Sequence, residues 1–173
     1  MRRIVLAILV WGAIGADFVE RAPAQSPAKG AAPANLSQLM KGTLYPASNV
    51  IFAAQDDNPA DVPRAKDPNM ATDLLKSVYG RLEAVENSAL AITEVANLLT
   101  VPGRKCANGL DVPMKNADWD KFVQELRDAG MTAYAAAQAK NQDKITDAAG
   151  VLTTACANCH NKYRERKLAD RCK

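Results

Sequence analysis

Apolar residues recur every three or four positions along four stretches of the chain, a period that predicts helices, and no stretch alternates at the strand period. In the first, about Leu36 to Gln55, Leu36, Leu39, Met40 and Leu44 share a face and Asn35 is placed to cap the start. Pro46 has no N–H and its ring would meet the carbonyl of Gly42, which predicts a kink or short break over residues 42–46. The second stretch, about Pro68 to Leu99, carries Leu74, Leu75, Val78, Leu82, Val85, Ile92, Val95 and Leu99 at helical spacing, and "VPGRKCANGLDVPMKN" ends it. The third, about Ala117 to Lys140, aligns Trp119, Phe122, Val123, Leu126, Ala133 and Ala137, with Asn116 or Asp118 as its cap. The fourth, about Gln142 to Lys167, aligns Ile145, Ala148, Leu152, Ala155, Cys156, Cys159, His160 and Tyr163.

Four amphipathic helices in succession predict an all-α fold: an antiparallel four-helix bundle, up-down-up-down, which buries four stripes at once with short connections. In that topology the start of the first helix, the 100–115 connection and the end of the fourth helix share one end of the bundle. Met40 lies about 6 Å inside the first helix and His160 about 10 Å before the expected end of the fourth, at the standard rise per residue. The two therefore come to similar heights, at the end that also holds Cys106 and Cys172.

The 173 residues suit one domain with a real core. Arg2 and Arg3 precede an apolar run from Ile4 to Ala16, whose 13 residues suit a signal-peptide core better than a bilayer-spanning helix. Ala22-Pro23-Ala24 supplies a small-x-small cleavage site, so residues 1–24 are expected to be a signal peptide, with an uncleaved anchor as the alternative. Residues 25–35, "QSPAKGAAPAN", read as a flexible leader, and 36–173 as the folded domain. Residues 1–24 hold three basic and two acidic residues, which leaves 19 basic against 17 acidic in the mature chain. A nucleic-acid binder carries a basic stripe on a strongly positive domain, so that class is excluded. The basic tail "NKYRERKLADRCK" reads as a solvated helix end favoured by the helix dipole, or as a docking patch for an acidic partner.

Two of the four cysteines and the one histidine fall within "CANCH", residues 156–160, where Cys156 and His160 are one helical turn apart. Zinc needs three or four protein ligands, and no second histidine exists. A thioredoxin-like C-x-x-C opens a helix after a strand, whereas this one sits near the end of a long helix. Covalent c-type haem attachment accounts for every element: the thiols of Cys156 and Cys159 form thioethers, and His160 presents its imidazole to the iron.

A single C-x-x-C-H followed by Tyr163 and Arg164, late in a four-helix chain with a signal peptide, resembles the class II cytochromes c, that is, cytochrome c′ and its low-spin relatives. The resemblance spans residues 35–167, and its specific part is "CANCHNKYR". It implies His160 as the proximal ligand and a residue of the first helix over the distal face, a ligating methionine in the low-spin members and a non-ligating apolar residue in cytochrome c′. By position that residue is Met40, with Met70, Met114 and Met131 elsewhere in the chain. Members commonly carry an arginine one turn before the distal position, where this chain has Leu36, so the haem propionates are expected to meet Lys41, Arg104, Lys105 or Arg164.

Cys106 and Cys172 are the remaining thiols and, in an oxidising compartment, are expected to form a disulfide that clamps the tail over the haem end. The expected protein is thus not an enzyme but a periplasmic one-electron carrier with His160/Met40 ligation, acting between exported redox partners, free of the membrane once the signal is cut and able to pair as a homodimer. The alternative, with Met40 only packing, is a five-coordinate site that binds a diatomic gas.

Overall fold

In the computed structural model, residues 32–164 and Cys172 are described. The expected signal peptide, most of the leader and the extension of the last helix to Lys167 lie outside these residues. Among them the chain is all-α, with four main helices and no strand beyond one isolated bridge between Lys105 and Asp111.

Helix α1 runs unbroken through Leu36–Leu39, Met40–Leu44 and Tyr45–Asp56. Asn35 and Gln38 form a reciprocal capping box, the Gln38 N–H donating to Asn35 Oδ1 at 2.9 Å and the Asn35 N–H to Gln38 Oε1 at 2.8 Å. The expected kink at Pro46 takes a different form. Met40–Leu44 is a π-helical turn in which the Tyr45 N–H donates to Met40 O, five residues back. The helix runs on past the proline through the wider turn, and Gly42 and Pro46 are both exposed.

Helix α2, Leu82–Leu98, begins well after the expected start at Pro68. The intervening residues hold two 3-10 turns, Pro68–Met70 and Leu74–Lys76, because Asp67 and Asp73 each turn their carboxylates onto the backbone N–H two residues on and start a new turn. Gly80 then passes so close to the chain that a Cβ would lie 2.7 Å from Ser77 O, and Arg81 enters α2 at φ 64°. Of the apolar positions in this segment only Leu75 is buried; Leu74 and Val78 are exposed.

Helices α3, Trp119–Gln138, and α4, Gln142–Tyr163, match their expected spans apart from the ends. Helix α1 packs on α2 and α4, α2 on α3, and α3 on α4. Small residues let α2 and α3 approach closely: a Cβ on Gly130 would stand 2.9 Å from Ala89 O and 3.2 Å from Thr93 N. Further along the same contact, the Arg127 guanidinium donates to Asn97 Oδ1. At the other ends of α1 and α4, Gln142 Nε2 donates to Ala54 O at 2.8 Å.

Two glycines in helix interiors should therefore respond oppositely to a methyl group. Gly130→Ala forces α2 and α3 apart and should cost about 1–3 kcal/mol, whereas Gly150→Ala meets nothing within 4 Å and should stabilise by roughly 0.5–1 kcal/mol. Urea unfolding of both variants checks the pair; a Gly130→Ala chain as stable as its parent contradicts the close contact.

Candidate functional site

Helix α4 carries its chemistry on one edge of its buried stripe. Ile145, Ala148, Leu152, Ala155 and Tyr163 are buried, while Cys156, Cys159 and His160 are half-buried. Those three side chains line a cavity of about 980 Å³. The opposite wall comes from α1, where Leu36, Met40 and Leu44 face the same space, and Trp119, Phe122 and Leu126 of α3 extend the lining. The packing explains the gap: the Tyr45–Asp56 part of α1 lies on α4, whereas the Met40–Leu44 turn lies on α2.

Among the described methionines it is Met40 that lines the cavity. Met70 and Met131 are exposed, and Met114 packs on the core without lining it. Tyr163 anchors the end of α4, its ring edge-on to Trp119 at 5.1 Å between centroids and to Phe122 at 6.1 Å. Its hydroxyl donates to Asp118 Oδ1 at 2.5 Å and accepts from Asn116 Nδ2 at 3.1 Å. Lys162 also pairs with Asp118, and these two donors hold the Asp118 carboxyl below its ordinary range.

Cys156 and Cys159 are free thiols rather than partners of each other. Burial raises both above the ordinary cysteine value, and Cys159 is pushed up to about 11, first by burial and then by Cys156, Asp118 and Glu125. Among the described residues no group of three or more His, Cys, Asp and Glu side chains is placed to hold a metal ion. The donors that share the cavity are one imidazole, one thioether and two half-buried thiols in an apolar surround. Two thiols and an imidazole on one helix, facing a thioether across the cavity, are groups that could hold a covalently attached macrocycle.

The cationic candidates separate. Lys41 and Arg164 line the cavity. Lys105 is exposed and paired with Asp111 at 2.6 Å. Arg104 departs from the expectation of a propionate partner: it is buried, Nε donates to Leu98 O at 2.8 Å and the guanidinium also donates to Ala34 O. It thereby ties the end of α2 to the chain just before α1, a structural use of a buried charge that burial pulls below the usual arginine value. The sequence pattern marked Arg104 only as a cation near the site, and it gave no sign of the Asn116, Asp118 and Tyr163 network.

Cys106 and Cys172 lie at disulfide distance, with their Cα atoms 4.8 Å apart. Cys172 and the neighbouring Ala107 line the cavity, so the bond forms part of its rim. Among the described residues no helix is long and apolar enough to cross a membrane. Compared with known proteins, the chain has no significant match to a family model, a curated protein or a solved structure.

The disulfide closes a loop of 66 positions, for which chain entropy sets an upper figure of roughly 4 kcal/mol. Unfolding in denaturant with and without reductant should show a loss up to that size, and a Cys106→Ala/Cys172→Ala chain should show the same loss and no further response to reductant. Equal midpoints in both conditions contradict the clamp.

Proposed function

We propose that this chain is an exported, periplasmic c-type cytochrome of the class II kind, an antiparallel four-helix bundle with one covalent haem that carries single electrons between exported partner proteins. The observation that carries the reading is that Cys156, Cys159, His160 and Met40, far apart in sequence as two groups, line one apolar cavity. The bundle assignment is supported by contacts whose chain directions oppose: Asn97 meets Arg127 while Ala89 meets Gly130, and Asn158 meets Glu125 while Tyr163 meets Asp118.

Haem supplies the reversible one-electron couple; the chain binds, orients and shields it. Cys156 and Cys159 would hold the haem through thioethers made by adding their S–H groups to its two vinyl groups. His160, next to Cys159 and one helical turn from Cys156, would be the proximal donor. Met40, on the π turn of α1, would be the distal donor, and its soft sulfur would favour the reduced iron relative to a more basic ligand. Leu36, Leu44 and Leu126 would shield the bound group from water. Lys41 and Arg164 are the cations placed to meet the propionates.

Expression with c-type maturation machinery, followed by oxidised and reduced spectra with and without carbon monoxide, tests the reading. The expected result is a low-spin spectrum with a methionine-to-ferric charge-transfer band that Met40→Ala abolishes. A high-spin spectrum with ready carbon monoxide binding in the parent chain replaces electron transfer by gas binding. Haem that washes out on denaturation and extraction refutes both.

A further inference from the structure

Asp118 stands at the N-cap position of α3, where an aspartate ordinarily accepts from the first N–H groups of its own helix, yet its side chain makes no capping bond. The carboxylate turns across to α4 instead, Oδ1 accepting from the Tyr163 hydroxyl at 2.5 Å and Oδ2 pairing with Lys162. Two turns further along α3, Glu125 Oε2 accepts from Asn158 Nδ2 at 3.0 Å. Asn158 immediately precedes Cys159, and Tyr163 lies three residues beyond His160. Two carboxylates of one helix therefore grip the other on either side of His160.

We propose that Asp118 and Glu125 are positioning residues for His160, and that their charge lowers the reduction potential of the haem held by α4. This rests on the haem reading above. The redox step moves one electron from an exported donor protein to ferric iron and breaks no bond. The oxidised site carries one more positive charge than the reduced site, so a fixed anion beside it stabilises the oxidised form. Lys162, with its side chain 43% exposed, opposes Asp118 in part. For partly solvated charges bonded to the helix that carries His160, each carboxylate should shift the reduction equilibrium on the order of three- to tenfold, about 30–60 mV for one electron.

Spectropotentiometry of the haem-loaded chain at low and high salt reads this directly. Asp118→Asn and Glu125→Gln should each raise the potential, Lys162→Met should lower it, and all three shifts should shrink as salt screens them. A merely structural role moves neither the opposed signs nor the salt dependence. Potentials that stay put, or that Asp118→Asn and Lys162→Met move in the same direction, overturn the proposal while the haem reading stands. If the Asp118 variant does not fold, Lys162→Met alone decides, since the absence of a downward shift overturns the proposal equally. A parent chain with no covalent haem overturns the haem reading and this inference with it.

Discussion

Tyr163 sets the rotation of α4 about its own axis. Its ring is held edge-on by Trp119 and Phe122 and its hydroxyl by Asp118. An edge-to-face pair contributes about 0.5–1.5 kcal/mol beyond area burial, and two such contacts with a charge-assisted hydrogen bond leave the side chain little freedom. Counting back from Tyr163, His160, Cys159 and Cys156 lie three, four and seven residues away, all on the same face of the helix. Locking Tyr163 against α3 thus determines that the imidazole and both thiols turn toward the cavity. Rotation of α4 by one residue would carry the set off the cavity wall.

The facing wall depends on how α1 is held. The Leu36 N–H donates to Lys105 O at 2.9 Å, and the buried Arg104 bonds carbonyls on both sides of the same junction. Burying a guanidinium is costly unless its donors are satisfied, and here two backbone carbonyls satisfy part of the fork. Cys106 follows directly and carries the bond to Cys172 at the rim. One short connection therefore anchors the start of α1, the end of α2 and the tail. The π turn beginning at Met40 then places a thioether in a stretch of α1 that packs on α2 rather than on α4. A cavity opens between Met40 and His160 because the two helices meet only further along.

Most of the helical content was legible in the sequence because core stripes repeat with the helical period, and α3 and α4 differ from expectation only at their ends. The start of α2 was not, because Leu74, Leu75 and Val78 mimic a helical stripe while Asp67, Asp73 and Gly80 break the backbone locally. Pro46 was legible as a disturbance but not as a π turn, since the choice between breaking and widening depends on packing against α2. At the site, the motif residues and Met40 could be placed from helical register and topology. Asp118 could not: read as a cap for α3, it is diverted by Tyr163 and Lys162, 45 and 44 positions away. The setting of Arg104 was not legible for a similar reason, because its partners are backbone carbonyls that no residue pattern reveals.

The account turns on whether the two half-buried thiols of α4 become thioethers. The most direct measurement is intact and peptide mass spectrometry of the chain made with c-type maturation machinery. The account predicts a mass increased by one haem, carried on the peptide containing Cys156, Cys159 and His160, with neither thiol open to alkylation after denaturation. An unmodified peptide in which both thiols alkylate would contradict it.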